Sequence, residues 1–224
     1  MKINFKKYPL PKRLRHHTAP NSYFAAEELK VVPMYYPPLY KTIDWGEHFG
    51  DGRQPDMLDI GCGKGGFLLS MAELNPEMNL LGIEVREPVV EWICNFVKCE
   101  KVTNCSALWY SVVNGMEFIA DNSIAKAFYL FPDPWPKTKH LKRRAFSSEF
   151  LVEIERVLKP GGELYLATDM PVVHDYHKDL LIKFGKLEFR EVVDDADWAL
   201  PVTNKESFCR KMKIPFDRII CRKI

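Results

Sequence analysis

From Met57 onward, short apolar runs alternate with amphipathic stretches along the chain. Met57 to Ile60 predicts a buried strand, and Gly66 to Leu74 a helix ended by Asn75-Pro76, because the residue before a proline is driven out of helical conformation. The same pattern gives a strand at Leu80–Val85, a helix from about Pro88 to Lys101, and a weaker strand at Cys105–Tyr110. Ile124–Phe131 follows as a strand, then a helix over Ser147–Leu158 stopped by Lys159-Pro160-Gly161-Gly162. Glu163–Thr168 is a further strand and Val172–Phe184 a helix, with two late strands near Leu187–Val193 and Phe216–Arg222. Strands alternating with helices over short links call for an α/β fold, a parallel sheet with helices on both faces. No internal repeat or low-complexity tract interrupts this order.

Residues 1–54 lack a sustained period and are rich in proline, with Pro33 and Pro37-Pro38 set among aromatics. They are expected to form an arm with one short helix lying on a domain of residues 55–224. The 224 residues, 46% hydrophobic and 28% charged, suit an ordinary globular domain able to bury a sizeable core. Apolar runs reach only four to six residues, too few to span a bilayer. The N-terminus is basic without the apolar centre of a secretory signal, so a cytoplasmic location is expected; an organellar transit segment stays open. Cys62, Cys94, Cys99, Cys105, Cys209 and Cys221 form no CxxC pair and meet no histidine at zinc spacing. They read as buried, reduced thiols, and no metal is expected.

Net charge is only +2, but it is unevenly placed. Lys2, Lys6, Lys7, Lys12, Arg13 and Arg15 open the chain without an acid, and Lys137, Lys139, His140, Lys142, Arg143 and Arg144 form a second basic run. Basic runs in a near-neutral protein suggest a polyanion at one surface, though a solvated face would look the same.

The chemistry gathers at Leu58-Asp59-Ile60-Gly61-Cys62-Gly63-Lys64-Gly65-Gly66, between the first strand and the first helix. Glycines there permit a sharp turn and let a ligand lie close to the backbone. Glu84 ends the second strand, where a carboxylate accepts from ribose hydroxyls. Together these point to an adenosine-containing ligand. Gly61, Gly63 and Gly66 also satisfy the dinucleotide pattern GxGxxG, so a nicotinamide-dependent oxidoreductase is an alternative. Asp59 favours S-adenosylmethionine, since its carboxylate suits a cationic ligand and repels a pyrophosphate. Leu158-Lys-Pro-Gly-Gly162 before a strand resembles the corresponding turn of class I methyltransferases.

Directly after the fourth strand comes Phe131-Pro-Asp133-Pro-Trp135-Pro-Lys137. Strand C-termini face the crevice in a doubly wound sheet, so Asp133 is expected to point into it. The flanking prolines fix the backbone around that carboxylate and withhold amide donors. With DIGCGKG, GIEVR, FPDPWPKTKHLKRR, Thr168-Asp169 with Tyr176, and Thr203-Asn-Lys-Glu206, the chain from about residue 56 resembles the tRNA (guanine-N7-)-methyltransferases. The resemblance implies a Rossmann-like, doubly wound, mostly parallel seven-stranded sheet, the class I methyltransferase fold. It implies S-adenosylmethionine as methyl donor, S-adenosylhomocysteine as product, and a guanine at position 46 of the tRNA variable loop as acceptor. By the same resemblance Asp59, Gly61, Gly63, Glu84, Asn114, Gly115 and Asp133 contact the cofactor, Glu84 through the ribose and Asn114 with Gly115 through the adenine. Asp133 is the candidate catalytic residue, while Lys137, Asp169, Thr203, Asn204, Lys205 and Glu206 are candidate substrate contacts. Lys139, His140, Lys142, Arg143 and Arg144 would meet the RNA backbone. Asn114 departs from the family's usual aspartate, and the arm before residue 50 has little that aligns.

Guanine N7 carries a lone pair and no proton, so its methylation needs positioning more than a base. Asp133 is therefore expected to orient the guanine or to stabilise charge developing on it, and Trp135 either to stack on a base or to pack inside. Further alternatives are a methyltransferase for another RNA, a protein or a small molecule, and a catalytically silent RNA-binding protein. No partner subunit is evident, and a monomer or homodimer both remain open.

Overall fold

The computed structural model describes residues 3–12, 14, 19–135 and 138–224, with backbone alone at 138–140. Seven strands lie in one sheet: β1 Met57–Ile60, β2 Leu80–Glu84, β3 Cys105–Trp109, β4 Ile124–Leu130, β5 Leu158–Thr168, β6 Leu187–Glu191 and β7 Asp217–Lys223. The helices are α1 Gly66–Leu74, α2 Glu87–Cys99, α3 Ser148–Val157, α4 Pro171–Phe184, α5 Asp195–Trp198 and α6 Asn204–Met212. The strand order is β3-β2-β1-β4-β5-β7-β6. β1 to β5 pair in parallel, whereas β7 inserts antiparallel between β5 and β6. An apolar run reads the same in either direction, which is why the alternation of elements could not show this reversal.

Local chemistry sets the helix ends. The Ser147 hydroxyl accepts from the Phe150 amide at the start of α3. Pro171 opens α4 and Gly185, at φ 68°, closes it. Side chains alternate across the strands. Met57 and Leu80 join a buried cluster with α1 and α2, while Leu58, Ile60, Leu81 and Ile83 join another with α3 and α4. Each such side chain contributes about 1.5–3 kcal/mol when fully buried.

Lys159-Pro-Gly-Gly162 is not a separate turn. β5 starts at Leu158, opposite Ile124, and is interrupted by a bulge before Glu163 aligns with Lys126. Gly161 takes φ 73° there, and a Cβ on Gly162 would sit 2.9 Å from the Lys159 carbonyl. The bulge therefore requires both glycines.

The arm is more ordered than its aperiodic sequence suggests. It contains short 3-10 helices at Pro20–Tyr23, Ala26–Glu28 and Trp45–Glu47. Phe5 stacks on Trp92 of α2, whose indole donates to the Pro9 carbonyl at 3.1 Å. Further on, Tyr40 and Trp45 pack against Tyr110 and Phe118. Lys2, Lys137, Arg13 and Arg15, and the side chains of Lys139 and His140, lie outside the described residues. Cys62, Cys105, Cys209 and Cys221 are buried free thiols, but Cys94 is half-buried and Cys99, at the end of α2, is exposed. Among the described residues no helix is long and apolar enough to cross a membrane.

Candidate active site

Strand order reverses at β1, which lies between β2 and β4. A crevice opens at such a point beyond the strand C-termini. The turn leaving β1 carries Gly61, Gly63 and Gly65 at φ 79°, 54° and 71°, a region that side chains rarely adopt. At Gly61 nothing lies within 4 Å of where a Cβ would stand, so a ligand has room against the backbone. Gly65, not Gly66, is the left-handed residue that opens α1; Gly66 instead faces the Asn204 amide.

Asp59 is 5% exposed, and its Oδ2 has no hydrogen-bond partner. Burial, and next the charge of Glu84, push its carboxyl up to about 7. A buried carboxylate oxygen left unpaired is costly and calls for a cation or a donor. Glu84, also buried, accepts from the Gly63 amide at 3.1 Å and so ties the glycine turn to β2. It also takes the Arg86 Nη2 at 2.8 Å, which holds the Arg86 guanidinium above its ordinary value. Arg86 was not singled out in the sequence, although it ends GIEVR; a charge two residues past a strand acid is the signal that marks it.

At the neighbouring edge, Asn114 and Gly115 lie after β3. The Asn114 Oδ1 accepts from the Ala26 amide at 2.8 Å and the Tyr36 hydroxyl at 3.0 Å. Ser111 donates to the Ser22 carbonyl at 2.8 Å. The arm thus lies directly on the expected adenine-reading residues. Tyr23 of the arm donates to Asp133 Oδ2 at 2.9 Å and meets Trp135 edge-on at 5.0 Å. The Arg143 guanidinium covers the same indole at 4.9 Å. An aperiodic segment gives no period from which Tyr23 and Tyr36 could have been found.

The expected substrate residues divide. Asn204 stands against Gly66, and Lys205 pairs with Asp169 at 2.6 Å. Thr203 caps α6 by accepting from the Glu206 amide. Glu206 itself is turned inward, 2% exposed, and meets the buried Arg218 at 2.6 Å and Arg210 at 2.8 Å. It anchors α6 to β7 and does not present its carboxylate at the surface. The basic run divides as well: Lys142 is exposed, Arg143 is half-buried on Trp135, and Arg144 is buried. Arg144, expected at the RNA backbone, gives its guanidinium to the protein's own Pro134 and Trp135 carbonyls. Among the described residues no group of three His, Cys, Asp or Glu side chains is placed to hold a metal.

An unpartnered buried carboxylate oxygen on Asp59, open space at Gly61 and the Glu84 carboxylate tied to the glycine turn stand together at this crevice. Sheet order and crevice together define a class I S-adenosylmethionine-dependent methyltransferase. Residues 53–213 match a family described as "Putative methyltransferase". A tRNA (guanine-N(7)-)-methyltransferase of Halalkalibacterium halodurans is 33% identical over 172 residues, covering 75% of this chain and 78% of the relative. The enzyme so described from Lactobacillus gasseri is 34% identical over 145 residues, covering 65% and 67%. The chain belongs to the tRNA (guanine-N7-)-methyltransferase family. The fold is shared with a SAM-dependent methyltransferase from Aquifex aeolicus at a TM-score of 0.53 and 18% identity, covering 80% of this chain and 86% of that one. It is shared also with the 16S rRNA methyltransferase KamB at 0.52 and 17%, covering 76% and 87%.

Proposed function

We propose that this chain methylates N7 of a guanine in tRNA, at position 46 of the variable loop, using S-adenosylmethionine. The observation that carries the reading is the placement of two carboxylates on paired strands: Asp59 within β1, buried with an unpartnered Oδ2, and Asp133 just past the end of β4. When bound, the cofactor supplies an electrophilic methyl group on a sulfonium. Asp59 complements its positive charge, Glu84 accepts from its ribose, and Asn114 with Gly115 flanks the adenine. Asp133 accepts from guanine N1–H and the exocyclic amine, which directs the N7 lone pair and disfavours adenine. No group on the protein removes a proton from N7, which has none. Positioning of this kind is worth up to about 7–11 kcal/mol in favourable intramolecular models. Asp169, Lys205, Thr203 and Asn204 serve the substrate and Lys142 and Arg143 the phosphates; Lys137 for the substrate, and Lys139 and His140 for the phosphates, rest on the family resemblance alone. The described part of the arm, through Tyr23 and Tyr36, forms a wall of the crevice in the domain of residues 55–224. The reading takes the cytoplasm as the site of the reaction.

The test is incubation of the purified chain with labelled cofactor and unmodified tRNA, followed by borohydride reduction and aniline cleavage, which cuts at N7-methylguanine. Cleavage at the variable-loop guanine is expected. Cleavage elsewhere would move the position, and label without cleavage would overturn the N7 assignment. Asp133→Asn should lose most turnover while keeping cofactor affinity.

A further inference from the structure

The segment bearing Asp133 is strained. Phe131 and Trp135, on either side of it, take φ 52° and 38°, left-handed values that bulky residues rarely adopt. Each such residue costs on the order of 1–3 kcal/mol and persists only where its surroundings hold it. Pro134 and Pro136 have no amide hydrogen with which to brace the loop.

The bracing comes from Arg144. Its Nε donates to the Pro134 carbonyl at 3.1 Å and its Nη2 to the Trp135 carbonyl at 3.4 Å. The guanidinium lies 4.6 Å from the centre of the Tyr176 ring, whose hydroxyl donates to the Phe146 carbonyl at 3.1 Å. Arg144 is 7% exposed, and burial pulls it below its ordinary value. No carboxylate pairs with it among the described residues. A buried cation spent on two carbonyls and a ring is expensive to desolvate. The planar fork of an arginine reaches two successive carbonyls where a lysine ammonium makes a single point contact.

We infer that Arg144 is a positioning residue: it clamps the two carbonyls following Asp133 and so fixes that carboxylate in the crevice, without touching RNA. This rests on the reading of Asp133 as the group that orients the guanine. Displacement of a reacting partner by about 1 Å can cost on the order of a hundredfold in rate.

The experiment compares wild type, Arg144→Lys, Asp133→Asn and the double variant by steady-state kinetics with tRNA, with tRNA binding measured across a salt series. Arg144→Lys keeps the charge and loses the fork. It should lower kcat about ten- to a hundredfold, leave the tRNA KM and salt slope at wild-type values, and add little to the loss in Asp133→Asn. A higher KM with unchanged kcat would restore an RNA contact and overturn the inference, as would losses that multiply in the double variant. Normal turnover in Asp133→Asn would instead sink the reading of Asp133 itself, and with it any role for Arg144 through that carboxylate. If Arg144→Lys does not fold, Tyr176→Leu removes the ring under the guanidinium while keeping every cation. It should reproduce the loss in kcat with an unchanged salt slope, and a normal kcat there would overturn the clamp.

Discussion

Asp59 offers the sharpest test of how the crevice is built. Its carboxyl is buried, lacks a partner on Oδ2, and is pushed up from 3.8 to about 7. A raised acid holds its proton in the folded state after losing it in the unfolded one. The ligand-free protein is therefore unburdened below about pH 4, loses stability as pH rises, and bears the full penalty above about pH 7. At roughly 1.4 kcal/mol per pH unit, that penalty is about 4 kcal/mol. Asp59→Asn removes the charge, so at pH 8 the ligand-free variant should melt higher than wild type, by about 2–4 °C for each kcal/mol recovered. The gain should vanish near pH 4. Binding reverses the sign: a cationic ligand favours the ionised form, so wild-type affinity for S-adenosylmethionine should fall about tenfold per unit as pH drops below about 7. The variant should bind weakly and without that dependence. Melting curves and titration calorimetry from pH 4 to 8 measure both halves. A variant less stable than wild type at pH 8, or a wild-type affinity flat across pH 5 to 7, would refute the reasoning.

Other outcomes follow from the same geometry. Lys142→Ala should reduce the slope of log affinity for tRNA against log salt by about one, whichever tRNA is used, because the role proposed for this exposed lysine is a phosphate contact. His177, buried against Phe146, is held down to about 3 from its usual 6.5. Its contribution is intact above pH 6.5 and is lost as pH falls toward 3, at up to about 1.4 kcal/mol per unit; denaturant melts of His177→Phe should show a flatter acid limb. Glu206→Ala leaves the buried Arg218 with Asp195 as its one carboxylate among the described residues, beside the Trp198 and Phe216 rings, and should cost about 3 kcal/mol in chemical denaturation. A loss below 1 kcal/mol would show that the pair does not anchor α6.

The glycine turn, Asp59 and Glu84 beside it, and the Asp133 segment were legible because each is a local device. A strand must be followed by glycines to turn sharply, and an acid at a strand end has one crevice to face. The strands and α1 to α4 were legible for a related reason: burying one face of an element imposes a period on its sequence. α6 buries only Glu206 and Cys209, so it left no apolar stripe. α5, at four residues, is too short to have a period. The arm follows an existing surface instead of forming one, and its aromatic contacts to α2 and to Asp133 obey no spacing.

What the sequence by itself determined was the succession of strands with α1 to α4, and the placing of the glycine turn, Asp59 and Glu84 at the crevice end of the sheet. These depend on residues near one another in the chain. Only the tertiary structure decided the direction of β7, the inward turn of Glu206 and the burial of Arg144 two residues from the exposed Lys142. The physical reason is that a charge is read as solvated until something distant is shown to cover it. For Arg144 the cover is Tyr176 on α4 and the carbonyls of a proline-bound loop, brought together by the packing of the sheet.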